Sequence, residues 1–404
     1  MHVVQTKRTS SAAVVLTAAL LLGLAPLAST QASAQVATPS KLYIESNITS
    51  ANGNSVIGLQ NDGNGNITAL PGSPYLTNGV GVGAGNATDA QWDADGELIM
   101  DALGSRLWAV NGNSNTITSF SINADGSLAQ VGSPVASNGQ QPAALGIKEG
   151  VLPGGLGLMV AVNKAADPLQ PSNVTPNYTT FKVALDGSLT MNAGSTLNLP
   201  MNSFPAQAVI RRGSQAQFFG IEFKANTTSS YSMNRSGILS QISSIVPPVA
   251  NPPQLGAILH PTKQYLYVDQ PVQHAVGIFQ YDKNGVLTYL RNVFAPGAAI
   301  CWNAINTAGT RLYTAQTPSS EISVYDLTHP GTPLLLQTFV VSGTGAAPAH
   351  MALDPSQRFL YVVDRVGTVH VLDINSTGQV TEPRAAYNLG LPTGTVPLGV
   401  IVKP

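Results

Sequence analysis

An all-β, seven-bladed β-propeller of four-stranded blades is the fold this sequence predicts, and three observations predict it. One short strand pattern returns seven times, Asp-Gly and Asn-Gly turns separate the β-rich runs after it, and helical periodicity is absent beyond the N-terminal stretch. Internal similarity comes first because it decides whether a chain of 404 residues is one repeat architecture or several domains.

The pattern is a large apolar residue, an aromatic or apolar one, two small or β-branched residues and a polar end. It stands as Leu42-Tyr43-Ile44-Glu45-Ser46, Leu107-Trp108-Ala109-Val110-Asn111, Met159-Val160-Ala161-Val162-Asn163 and Phe218-Phe219-Gly220-Ile221-Glu222. It returns over Leu266 to Gln270, Leu312 to Gln316 and Leu360 to Asp364, with starts 46 to 65 residues apart. That interval suits a four-stranded blade with loops of varying length. A second β-rich run follows each, such as Thr116 to Phe120 or Ile322 to Tyr325, and then a turn such as Asp125-Gly126, Asp186-Gly187 or Asn284-Gly285. These dipeptides supply the positive φ of tight hairpins. A third strand follows, and the innermost strand precedes the next return, often opening on proline: Pro142-Ala143-Ala144-Leu145, Pro205-Ala206-Gln207-Ala208, Pro348-Ala349-His350-Met351.

The first unit, Leu42 to Leu76, lacks an inner strand, while Pro397-Leu398-Gly399-Val400-Ile401 is left over at the C-terminus. The ring is therefore expected to close by the C-terminal strand completing the first blade, which removes exposed sheet edges. The second unit is the least regular: the glycine-rich stretch Gly79 to Gly85 leads into an inner strand expected near Gly96 to Met100. No linker separates a second domain.

Lys7 and Arg8, the apolar run Ala12 to Ala28 and the small residues Ala32-Ser33-Ala34 read as an export signal over residues 1–34. The propeller is then residues 35–404, secreted or periplasmic, with no integral membrane segment after cleavage. Pro26 and the short apolar run argue against a spanning helix, which needs about 20 apolar residues. A net charge of −1 with 10% charged residues excludes general nucleic-acid binding, which draws on many Lys and Arg. Cys301 is the single cysteine, so no intrachain disulfide forms. A monomer is expected.

The Leu-Tyr-Val-like strands, the Asp-Gly-Ser-Leu turns and the endings Gly72-Ser73-Pro74 and Gly132-Ser133-Pro134 resemble the seven-bladed lactonase-like propellers, including the YVTN repeat proteins. The resemblance covers essentially the whole mature chain. It implies a hydrolase of the kind that includes 6-phosphogluconolactonases and a carboxymuconate-lactonising enzyme, whose inner strands carry a Gly-Pro-Arg-His type sequence. Ala347-Pro348-Ala349-His350 matches the Pro and His but has Ala349 where the Arg would stand. Asn163 is followed by Lys164 and Asn111 by Gly112, not by the family's Glu, which turns the expectation toward an unphosphorylated lactone.

Antiparallel neighbours put the start of each inner strand and the end of the next on one face, at the mouth of the central channel. Counting places Glu97, Ala144, Gln207, Gly256, Trp302, His350 and Gly399 on the inner ring, and Ser46, Asn111, Asn163, Glu222, Gln270, Gln316 and Asp364 at the adjoining strand ends. Lys164, Lys224 and Arg365 follow closely. His350 is the candidate base, because an imidazole near neutral pKa can activate water for attack on a carbonyl. Glu222 and Asp364 are the candidate acids beside it. Arg365, Lys164, Asn111, Asn163, Gln207, Trp302 and Glu97 are the candidate contacts to a lactone or sugar-like ligand. Each also has a structural reading: strand-end Asn and Gln cap turns, Trp302 packs between blades, and His350 bonds within the channel wall. Asp93-Ala94-Asp95-Gly96-Glu97 is oxygen-rich but lacks the spacing of a calcium loop, and Asp-Gly is ordinary hairpin chemistry, so no metal and no cofactor are expected. Two function classes follow: an exported lactonase-like hydrolase, or a non-catalytic envelope propeller that binds a small molecule, glycan or protein.

Overall fold

The second strand of every blade is buried on both of its faces, which is why the sequence pattern there is a continuous apolar run instead of an alternation. The computed structural model describes residues 1–2, 38–83, 93–171, 173–249 and 253–403. Apart from Met1 and His2, the segment read as an export signal lies outside the described residues. Ala37–Pro404 is one compact unit, and among the described residues no helix is long and apolar enough to cross a membrane.

The unit is a ring of seven antiparallel sheets, each with a core of four strands that are consecutive in the chain in every blade but the first. From channel to rim, the third blade runs Pro142–Glu149, Gly157–Asn163, Asn177–Val183, Leu189–Met191, and the seventh runs Pro348–Leu353, Phe359–Asp364, Thr368–Ile374, Val380–Thr381. Blade two opens on a short inner strand, Leu98–Met100. Blade one is completed by Leu398–Val402, antiparallel to Ser40–Glu45 with Leu42 opposite Val402 and Ile44 opposite Val400. The ring closes as the strand count predicts.

Blades pack face to face through their second strands. Leu42 and Ile44 of blade one meet Phe359 and Tyr361 of blade seven, while Tyr43 between them packs toward Leu98 and Leu107 of blade two. Trp108 and Val110 in turn meet Met159 and Phe181 of blade three. Each such side chain contributes on the order of 1.5–3 kcal/mol by burial.

The aromatic second position of the pattern also fastens neighbouring blades. Tyr43 Oη donates to Gly126 O at 2.8 Å, Trp108 Nε1 to Gly187 O at 2.8 Å, and Tyr313 Oη to Gly378 O at 3.0 Å. In each case the acceptor is the turn glycine of the next blade. Gly126 and Gly187 both sit at φ 93°, so the hairpin turn that needs glycine also turns its carbonyl to the neighbour. The pattern residue and the turn residue are two halves of one contact.

Candidate functional site

Inner strands carry the same defect at the channel face. The pairing register shifts between Pro142 and Ala144, Pro205 and Gln207, Ile300 and Trp302, and Pro348 and Met351, and on the closing strand between Leu398 and Val400. Such β-bulges set two residues against one, bend the strand and re-aim its side chains. In blades three, four and seven a proline starts the strand opposite the polar end of the next, Pro142 facing Asn163, Pro205 facing Glu222 and Pro348 facing Asp364. In blade seven the bulge holds Ala349 and His350 against the single residue Val363.

The segment Asp93–Glu97, expected as a turn, is instead threaded into this bulged face. Asp95 N donates to Ala206 O at 3.2 Å, and Leu145 N donates to Gly96 O at 2.8 Å. Trp302 Nε1 donates to Ala94 O at 3.2 Å. Inner strands of blades three, four and six therefore hold one oxygen-rich segment, which stands ahead of blade two's inner strand where blades three, four and seven have proline.

Around it lies a nest of buried charge. Arg365 Nη2 donates to Asp93 Oδ1 at 2.5 Å, and its guanidinium lies 4.7 Å from the Trp302 ring centroid. Lys164 Nζ donates to Asp93 O. Desolvation raises the Asp93 carboxyl above its ordinary range, opposed by Arg365 and Lys164. Desolvation lowers the Lys164 ammonium to about 8, against the pull of Asp93 and Glu97. Burial pushes Asp95 up to about 7 although Gln207 Nε2 donates to its Oδ2 at 3.0 Å. Glu97 is raised well above the carboxylate range, first by burial and then by Asp95. Burial lowers His350 to about 3, with Arg365 adding to the effect, so this imidazole is neutral and a weak base.

An open depression of about 380 Å³ reaches this nest, and its walls include Asp93, Arg365, Cys301, Thr317, His274 and Phe223. That is the size range of small-molecule sites. His350 is not on its wall. It is 2% exposed, with its ring 4.8 Å from that of Trp302.

The structure brings Glu97, Gln207, Trp302, His350, Lys164 and Arg365 to one region, and it does not bring Glu222 or Asp364 to His350. Asp364 accepts from Ala347 N and from His370, which also bonds Glu382. Glu222 accepts from Thr227 and Tyr231 inside blade four. Asn111 donates to Thr116 and Thr118, and Asn163 to Ser137 O and Asn177. Strand-end polar groups thus tie strands within a blade, and Asn111 and Asn163 also tie their blades to the preceding one, Asn111 accepting from Asn54 and Thr77. Lys224 lies 4.6 Å from the Phe204 ring centroid. Of the remaining ring positions, Ala144 packs in the core between blades three and four, and Gly256 leaves no room for a side chain, since a Cβ there would lie 2.5 Å from Cys301 O. Asp93 and Asp95 are the site residues the sequence reading did not nominate. Their signal was position: an acidic run directly ahead of an inner strand, with no β-run before it to make a hairpin.

Residues 224–395 match the family model described as Lactonase, 7-bladed beta-propeller. No curated protein matches the chain. Among solved structures, a protein from Lactobacillus plantarum is 16% identical with a TM-score of 0.71, covering 90% of this chain and 99% of its own. The periplasmic gluconolactonase of Pseudomonas aeruginosa is 16% identical with a TM-score of 0.67, covering 89% and 99%. At this identity the structures speak for the fold alone. The chain thus carries the sequence pattern of the seven-bladed β-propeller lactonase family over residues 224–395 and the seven-bladed ring over the whole of its compact unit.

Proposed function

We propose that the chain is an exported lactonase-like propeller that hydrolyses a small unphosphorylated lactone, of a sugar or similar acid, in the depression over Asp93 and Arg365. The observation that carries this reading is a carboxylate–guanidinium pair, 5% and 17% exposed, in the wall of a ligand-sized opening. In the reaction a water oxygen bonds to the lactone carbonyl carbon and the ring C–O bond breaks. Asp93 takes the proton from the attacking water and returns it to the departing alkoxide, giving the hydroxy acid. Its raised pKa makes it a stronger base than a solvated aspartate. Arg365 stabilises the oxyanion, held over the Trp302 ring and backed by the charge of Lys164.

Arg365 is the one Lys or Arg among the described residues of the pocket wall. A phosphate dianion favours several cations, so an unphosphorylated ring fits better. Export is supported by Lys7, Arg8, the apolar run to Ala28 and Ala32-Ser33-Ala34, and it would keep the enzyme from cytosolic sugar phosphates.

The test is hydrolysis of a panel of phosphorylated and unphosphorylated aldonolactones by wild type, Asp93→Asn and Arg365→Gln, each checked for folding by circular dichroism. Turnover should favour unphosphorylated members, and Asp93→Asn should lower kcat by about 10²–10⁴. No turnover above the spontaneous rate on any member would overturn hydrolysis in favour of a non-catalytic binding propeller.

A further inference from the structure

Three side chains in the channel are not used by the proposed hydrolysis. One ligand atom each from Asp95, Glu97 and His350 lies within 4.8 Å of the others, and His350 Nε2 is 3.7 Å from Glu97 Oε1. Glu97 is 1% exposed and His350 2%. Yet neither carboxylate oxygen of Glu97 and neither nitrogen of His350 has a hydrogen-bond partner among the described residues. Buried polar atoms are bonded almost without exception, and each orphan costs about 1–3 kcal/mol. Four orphan atoms on two facing side chains call for a ligand.

We propose that Asp95, Glu97 and His350 hold a divalent first-row transition-metal ion, of the zinc or manganese kind, in the central channel. The donor set selects the class. Two carboxylates with one imidazole suit zinc, manganese or iron(II), whereas calcium takes six to eight oxygens and magnesium seldom an imidazole. Bonds of about 2.1 Å in tetrahedral geometry put neighbouring ligand atoms roughly 3.4 Å apart, close to the His350–Glu97 approach.

The surroundings fit the same reading. Gln207 donates to Asp95 Oδ2 at 3.0 Å, while its Oε1 accepts from Ala257 N at 2.7 Å. This is the outer support that metal-bound carboxylates use. Asp269, close enough to Asp95 for the two carboxyls to repel, is also buried, and its Oδ1 is without a partner among the described residues. Gly399 of the closing strand leaves room for Glu97, since a Cβ there would sit 3.3 Å from Glu97 Oε2. The ligands come from blades two and seven, on either side of the blade that closes non-covalently. The ion is therefore a clasp across the closure as well as a charge partner.

The experiment strips the purified chain with a chelator, loads it with Zn²⁺ or Mn²⁺, removes excess ion by desalting and measures metal content by mass spectrometry. Melting of stripped and loaded protein is recorded in parallel, and Ca²⁺ serves as the comparison ion. About one equivalent of Zn²⁺ or Mn²⁺ should remain bound, and loading should raise the melting temperature. Glu97→Gln and His350→Asn should each weaken binding at least tenfold and abolish that rise. Glu97→Gln keeps the shape of the side chain and breaks no hydrogen bond among the described residues, so its stripped form should melt no lower than stripped wild type, which separates loss of the site from loss of the fold. Less than a tenth of an equivalent in wild type, no change in melting, or undiminished binding in both variants would each overturn the proposal.

Discussion

Replacing His370 by Gln should remove a stabilisation that depends on pH in a direction fixed by the structure. His370 Nε2 lies 3.1 Å from Asp364 Oδ2 and its Nδ1 2.6 Å from Glu382 Oε1. Burial opposes the charged imidazole, but the two carboxylates outweigh it and raise its pKa from 6.5 to about 9. A folded pKa above the unfolded one means stabilisation that is complete below about pH 6.5 and lost as pH rises through about 9. A shift of that size corresponds to about 3 kcal/mol at about 1.4 kcal/mol per unit. The His370 side chain is 1% exposed, so solvent screening takes little from it. Guanidinium unfolding of wild type and His370→Gln at pH 6 and pH 10 measures it. The two proteins should differ by about 3 kcal/mol more at pH 6 than at pH 10. Asp95, Glu45 and Lys164 titrate in that range as well, but they do so in both proteins and drop out of the difference. Parallel stability–pH curves would refute a charged His370 and reopen Asp364 to a role at the channel mouth.

Two further perturbations test how the ring is held. Tyr313→Phe should lower stability by about 1–3 kcal/mol, through the lost bond to Gly378 O and a carbonyl left unpaired, with lactone turnover unchanged per folded molecule. Deleting residues 397–404 removes the inner strand of blade one and its four register pairs with Ser40–Glu45, and it uncovers Leu42 and Ile44. At about 1 kcal/mol per backbone bond, before any burial, that loss approaches the stability of a whole domain, so circular dichroism on heating should show a broad, non-cooperative melt.

The ring was legible in the sequence because its determinants are local and repeated. A strand buried on both faces must be apolar throughout, as at Leu107-Trp108-Ala109-Val110, and a tight hairpin must have glycine at positive φ, as at Asp125-Gly126. Closure was legible by counting, since Leu398 to Ile401 had no other partner. The positions around the channel were legible to within a residue, because proline and the polar end of the next strand oppose each other in the pairing. Side-chain direction was not. Periodicity gives no warning of a bulge, and bulges decide that His350 turns toward Glu97 and Trp302 while Asp364 turns to His370.

Asp93–Glu97 shows why composition alone misplaced the chemistry. Asp-Gly has a local use in a hairpin, and that use is met at Asp125-Gly126 and Asp186-Gly187, whose aspartates are exposed and bond Ser127 and Ser188 of their own turns. At Asp95-Gly96 the same dipeptide lies ahead of an inner strand, so its backbone pairs with blades three and four, and the carbonyl of Ala94 before it accepts from blade six. Acids that would be solvated in a turn are thereby buried in the channel, beside Lys164, Arg365 and His350. An aspartate in a surface turn ionises freely and does little else, whereas one held in a channel must find a cation, a proton or a ligand. Asp93 bonds Arg365 and Lys164, whereas Asp95 bonds Gln207 and Glu97, facing a neutral imidazole, has no hydrogen-bond partner among the described residues. Opposite treatments of one dipeptide thus separate the part of the chain that only turns from the part that can carry chemistry.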